Sequence, residues 1–117
     1  MKFRYEDLTV GELTLDYIQD VYRTTSRFPE QEKYGLTSQL RRAAVSIYLN
    51  LAEGTARGSR KDFARFLTIA LGSLVEVDAA FKIACRLGFM NDKDVIMIRR
   101  NTEDLWIKLC ALRKSQC

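Results

Sequence analysis

Apolar residues recur along the chain in four stretches, each at the three-and-four spacing that puts side chains on one face of a helix. The first predicts a helix from about Leu8 to Arg27, with Val10, Leu13, Tyr17, Val21 and Phe28 in step. Phe28-Pro29 ends it, because the residue before a proline is pushed out of the α region. An acidic connector with Glu30 and Glu32 leads to a second helix, about Leu36 to Glu53, whose stripe reads Leu36, Leu40, Ala43, Ile47 and Leu51. Gly54 falls where a C-cap glycine belongs, and Gly58 follows. Ser59 is placed to cap a third helix, with Asp62 in its first turn. There Phe63, Leu67, Ala70, Leu74, Val77, Phe81 and Ala84 alternate steps of four and three, and Gly88 closes the run. Asn91 caps the fourth helix, where Val95, Ile98, Thr102, Leu105, Leu109 and Leu112 keep the same alternation. A sustained period of about 3.5 marks near-parallel packing, and connections of a few residues make neighbouring helices antiparallel. The expectation is all-α: a single domain over residues 1–117, folded as an antiparallel up-down-up-down four-helix bundle.

The helices carry more apolar surface than one bundle buries. On helix 2, Val45, Leu49 and Ala52 lie opposite Ile47 when positions turn by about 100° per residue. On helix 3, Ile69, Ala80, Ile83 and Leu87 widen the stripe to one side. A lone soluble chain does not usually leave such patches wet, so self-association is expected. Arg41, Arg42 and Ser38 share the outer face with Val45 and Leu49, where they rim a subunit contact or reach a phosphate. Asn50 falls at a core-repeat position, where a polar residue fixes register at some cost in stability. Glu53 and Glu76 read as the acids set deepest among apolar neighbours, serving as partners for arginines such as Arg41, Arg57 or Arg65 rather than as catalysts.

Composition narrows the chemistry. Hydrophobic residues are 47% and charged residues 29% of the chain, with one Pro and six Gly, which excludes disorder and many-stranded β folds. Histidine is absent, removing the commonest general base and metal ligand. Asp16, Asp20, Glu103 and Asp104 read as solvated helix faces, without the Glu-x-x-His pattern of di-metal bundles. Cys85, Cys110 and Cys117 form neither a CxxC pair nor an even framework, and Cys85 and Cys110 sit too far apart along the helices to pair within one chain. The expectation is therefore no enzyme, no metal and no cofactor. Lys2, Arg4, Glu6 and Asp7 break up any apolar leader, and no run reaches the roughly 18 to 20 apolar residues of a membrane span. These features predict a cytoplasmic protein with reduced thiols and no membrane contact.

The net charge is +4, but its distribution says more. Antiparallel topology gathers residues 1–8, 53–65 and 108–117 at one end of the bundle. That end holds nine Lys/Arg against four Asp/Glu, whereas residues 22–36 and 84–95 at the other hold five against four. Its centre is Ala56-Arg57-Gly58-Ser59-Arg60-Lys61-Asp62-Phe63, a basic turn opening a helix whose N-terminus favours anions. Arg57, Arg60, Lys61 and Arg65, with Arg41 and Arg42 in support, are the candidate contacts to phosphates of RNA or DNA.

A resemblance adds to this. The stretch Tyr34-Gly35-Leu36-Thr37-Ser38-Gln39-Leu40-Arg41-Arg42-Ala43-Ala44-Val45-Ser46-Ile47 is similar to the four-helix-bundle family encoded in intervening sequences of bacterial 23S rRNA genes. So are Asn50-Leu51-Ala52-Glu53-Gly54, Arg57, Phe63-Ala64-Arg65-Phe66-Leu67 and Ala70-Leu71-Gly72-Ser73-Leu74, so that the likeness covers nearly the whole chain. It implies a bacterial cytoplasmic bundle assembling into a ring, a homopentamer. Related bundles accompany diversity-generating retroelements, where a basic pentameric barrel binds nucleic acid and a reverse transcriptase. Neither comparison supplies a catalytic residue. The chain departs from the family at Tyr48-Leu49, where Pro-Ser is usual; without that proline helix 2 should run straighter. Tyr48 and Leu49 add apolar area there, so Val45, Tyr48, Leu49, Ala52, Ile69 and Ile83 form the expected subunit interface. The reading that results is a non-enzymatic ring protein binding nucleic acid, RNA in preference, through its basic end. The alternative is an oligomeric scaffold that recruits a protein partner.

Overall fold

The computed structural model describes all 117 residues and contains four long helices: α1 (Thr9–Thr25), α2 (Leu36–Thr55), α3 (Arg60–Arg86) and α4 (Asp92–Lys114). They form an all-α bundle in which each helix packs on two neighbours, with α1 closing the square against α4. Its longest dimension, 44 Å, is that of α3, which at 1.5 Å per residue runs about 40 Å. Two short 3-10 turns, Arg4–Asp7 and Glu30–Glu32, add to the four predicted segments.

The helix boundaries follow the expected signals closely. Ser59 Oγ accepts the Asp62 N–H at 3.1 Å and Asn91 Oδ1 accepts the Asp94 N–H at 2.8 Å, so α3 and α4 begin at side-chain caps. At the end of α3, Gly88 adopts a left-handed conformation (φ +80°). The Phe89 N–H then reaches the Ala84 carbonyl at 2.9 Å and the Gly88 N–H that of Cys85 at 3.0 Å, a Schellman cap. The cap turns Phe89 inward, where its ring lies 5.6 Å from that of Phe28. α1 stops at Thr25, two residues short of the expected end, and Phe28 is buried from the connector instead. α2 runs unbroken through Tyr48-Leu49, in keeping with the missing proline.

Gly54 corrects the sequence reading. It does not cap α2 but lies inside its last turn, buried, where a Cβ would sit 2.8 Å from both Phe63 Cδ1 and Phe66 Cβ. The residue is glycine because α2 and α3 approach too closely for anything larger. Ala43, Ala44 and Ala70 are buried too, and Ser46 Oγ meets Ser73 Oγ at 3.0 Å across the α2–α3 seam. Small residues thus draw these two helices into the most intimate pairing of the bundle.

The core joins the predicted stripes into one cluster, with Leu40, Ile47, Leu67, Val77, Leu105 and Leu109 inaccessible to solvent. Thr102 belongs to it as a polar member: Tyr17 and Thr102 share a 2.7 Å hydrogen bond, and Thr102 also donates to the Ile98 carbonyl. Beside that pair Asp20 accepts from Asn101 at 3.0 Å, and Arg27 pairs with Asp94, so polar contacts lock α1 to α4.

Two outcomes test this packing. Gly54→Ala should cost about 1–3 kcal/mol in urea unfolding, since the added methyl meets two phenylalanines. Gly72→Ala, where a Cβ finds open space on the exposed face of α3, should instead gain about 0.5–1 kcal/mol. Burial raises the Tyr17 phenol well above its ordinary pKa, against the lowering effect of the Thr102 bond. The folded state holds the neutral phenol, so this contribution is complete below the ordinary tyrosine pKa of about 10 and drains away as pH rises beyond it. Tyr17→Phe should cost about 1 kcal/mol at neutral pH. The same variant should lose less stability than the parent when unfolding is repeated above pH ~10.

Candidate nucleic-acid interface

The α2–α3 turn, Ala56–Ser59, lies at one end of the bundle, and both the start of the chain and the end of α4 come to it. Arg4, in the first 3-10 turn, places its guanidinium 5.3 Å above the Phe63 ring. Arg113 Nη1 donates to Thr68 Oγ1 of α3 at 3.4 Å. A shallow cleft of about 690 Å³ between the start of α3 and the end of α4 is lined by Lys61, Asp62, Arg65, Thr68, Arg113 and Lys114, with Cys110 and Cys117 beside them. The charge count placed Arg113 and Lys114 at this end without naming them as contacts. Their part in the cleft follows from the antiparallel pairing of α4 with α3.

Within this end the cations are of two kinds. Arg57 lies 4.6 Å from the Phe66 ring centroid and bonds Glu53 Oε1 at 2.7 Å. Arg65 lies 4.9 Å from the same ring, with Asp62 3.9 Å away. Phe66 itself is buried, so two guanidinium planes roof it and are held by cation–π attraction. Arg60, Lys61 and Lys114 are exposed and meet no carboxylate within 4.0 Å. Lys2 is the exception among the chain-start cations: its hydrogen bond and ion pair with Asp7, at 2.7 Å, raise its pKa and answer its charge. Chemically, the end offers fixed forks on Phe66 and free cations around the first turn of α3, an arrangement for binding anions.

Arg41 and Arg42 do not join it. They lie in the second turn of α2, about 20 Å of helix from the turn, because α2 runs toward the basic end rather than along it. Arg41 is occupied locally: Nε donates to Thr25 Oγ1 at 2.9 Å, and the guanidinium stacks 4.5 Å from the Tyr22 ring centroid. Both arginines line a groove on the outer face of α2, with Ser38, Val45 and Leu49 as the helical spacing predicts.

The acids named as deepest are at the surface. Glu53 and Glu76 are both exposed, since they point away from the α2 and α3 stripes and their apolar sequence neighbours face elsewhere. Glu53 pairs with Arg57 of its own chain. Asn50 is half-buried at the α2–α3 edge rather than in the core, donating to the carbonyl and hydroxyl of Ser46 at 2.8 and 3.0 Å.

Of the expected interface, Leu49 is 62% exposed and Val45 and Ala52 are half-buried beside it. The register set by Ser46–Ser73 and Gly54–Phe66 brings exposed Ile69 level with Asn50. Tyr48 differs: the first 3-10 turn folds Tyr5 against it, edge to face at 5.8 Å, so its ring is partly covered within the chain. Burial, then nearby Tyr5, Glu12 and Glu6, push its phenol upward. Ile83 belongs to a different surface, the α3–α4 seam. Grooves of about 850 and 400 Å³ run there, bounded in part by Leu87, Met90 and Val95, and by Val75, Trp106 and Ile107. The ion pair of Arg99 with both oxygens of Asp78, at 2.9 and 3.0 Å, stands between them. The sequence reading missed Val75, Ile96, Trp106 and Ile107, all exposed, because each falls outside the three-and-four stripe. All three cysteines are free.

Four antiparallel helices with a cationic end and apolar outer faces define the class: an all-α bundle with two chemically distinct kinds of surface. The chain belongs to the 23S rRNA-intervening sequence protein family, whose model matches residues 6–110. A solved structure with the same fold is a protein of unknown function from the S23 ribosomal protein family of Bacteroides thetaiotaomicron VPI-5482. It is 22% identical, superposes with a TM-score of 0.80, and the match covers 91% of this chain and 99% of that one. No curated protein matches the chain. No helix is long and apolar enough to cross a membrane, and no group of three or more Cys, Asp or Glu side chains is placed to hold a metal ion.

Proposed function

We propose that this chain is a non-enzymatic, ring-forming bundle that binds nucleic acid, RNA in preference to DNA, through the end that carries the α2–α3 turn. The observation that carries the reading is the convergence of Lys61, Arg65, Arg113 and Lys114 in one cleft whose lining holds a single acidic side chain, Asp62. Cations from two helix ends at that spacing suit the repeated phosphates of a backbone, and the N-terminus of α3 adds its dipole. The family's name, which ties its members to rRNA genes, favours RNA. Arg60→Glu with Lys61→Glu should weaken binding at least tenfold and lower the slope of log K against log salt by about 2, with helicity unchanged by circular dichroism. Binding untouched by that double reversal would move the site elsewhere.

Ring assembly is supported by two unlike apolar patches, one on α2 around Leu49 and one on the α3–α4 seam around Ile107. A two-fold dimer needs one self-complementary patch, whereas a closed ring uses two different ones in head-to-tail contact. A pentamer is the ring size we propose, as the one the family resemblance implies. Leu49→Glu and Ile107→Glu should each reduce the light-scattering mass to that of a monomer. Mixing the two variants should restore a single contact and yield dimers, while no recovery on mixing would count against head-to-tail closure.

The second reading, a scaffold for a protein partner, is favoured by the apolar seam grooves. It predicts a stable ring with no salt-sensitive affinity for RNA.

A further inference from the structure

The mouth of the α2 groove combines features that a plain subunit contact does not require. Tyr34 is 89% exposed, its ring open to solvent apart from the Lys33 ammonium 5.6 Å from its centroid. Arg41 is held in place by Thr25 and the Tyr22 ring, so its charge is fixed at the groove wall. Neither Lys33 nor Arg42 meets a carboxylate within 4.0 Å. The one acid lining the groove, Glu53, lies about three turns further along α2 and is taken by Arg57. Cations that make no ion pair therefore flank an exposed aromatic face in a groove of about 740 Å³, while the nearby connector acid Glu32 is turned to the Leu36 N–H at 3.1 Å.

That combination fits a single strand of nucleic acid better than a duplex. In a single strand the bases are free to stack on an aromatic ring while the phosphates lie on nearby cations; in a duplex the faces are already stacked on each other. An acidic polypeptide would answer the cations and leave the Tyr34 face unused. We infer that the α2 mouth is a single-strand site, in which a base stacks on Tyr34 and the adjoining phosphates lie on Lys33, Arg41 and Arg42. The inference rests on the nucleic-acid reading above and names the form of nucleic acid that this second surface takes. The platform occupies the connector and first two turns of α2, so a neighbouring subunit seated on Leu49 and Ala52 borders it.

The test is fluorescence anisotropy on the full chain with labelled oligouridylate and oligoadenylate strands and an RNA duplex of equal length, with the mass of each variant measured by light scattering. Tyr34→Ala should weaken single-strand binding roughly tenfold or more and leave the duplex unchanged. Tyr34→Phe, which keeps the ring, should bind as the parent does, and Arg42→Glu should weaken the single strand. Tyr34→Ala without effect on the single strand, or with equal effect on strand and duplex, overturns the inference. So does a change in assembly mass alone, which would assign Tyr34 to a subunit contact, or displacement of the strand by polyglutamate equally from parent and Tyr34→Ala. If single-strand binding falls only with Arg60→Glu/Lys61→Glu, the groove fails and the basic end stands. If no form of RNA binds the parent even at low salt, both fail together.

Discussion

The contact between Gly54 and the two phenylalanines of α3 is the constraint on which the rest of the molecule depends. A helix packed so closely that a Cβ on Gly54 would lie 2.8 Å from atoms of both Phe63 and Phe66 has little freedom to slide or rotate. The register it sets carries Ser46 to Ser73 and lines up the small buried residues of both helices. It also seats Phe66 beneath Arg57 and Arg65 and leaves Phe63 under Arg4. The cationic end is thus built on the same two rings that fix the tightest packing, which couples its geometry to the core rather than to a mobile loop.

The other pair of seams is held differently. Between α1 and α4 the contacts are polar and directional: Tyr17 with Thr102 in the core, then Asp20 with Asn101 and Arg27 with Asp94 toward the far end. Every buried side-chain nitrogen and oxygen finds a partner, so the core gives up little for containing these groups. Between α3 and α4 the helices leave apolar grooves bridged by Arg99 and Asp78. A bundle tight along one seam, hydrogen-bonded along another and open along a third presents an uneven surface, and the open seam is where a neighbour has apolar area to cover.

Charge follows the same logic. Lys61 and Arg65 of α3 are distant in sequence from Arg113 and Lys114 of α4 and adjacent to them in space because α3 begins where α4 ends. The second cationic region, at the α2 mouth, is separated from the first by about 20 Å of helix and differs in kind, with aromatic rings exposed among the cations. Cations without ion pairs therefore gather on two surfaces of unlike chemistry.

The sequence alone determined the four helices, their caps at Ser59 and Asn91, the stop at Gly88, the core stripes and the basic end. Each of these is written in local spacing or in short connections, where few alternatives compete. Tertiary structure decided the rest. Gly54 looked like a cap because a glycine near a helix end usually is one; only the approach of α3 shows that it is there for space. Glu53 and Glu76 looked deep because a linear reading counts apolar neighbours along the chain, whereas burial depends on which way each residue turns. Arg41 and Arg42 looked like part of the basic site until the length of α2 separated them from it. Trp106 and Ile107 gave no signal, since an exposed apolar residue outside the stripe acquires meaning only from the groove that the neighbouring helix leaves beside it.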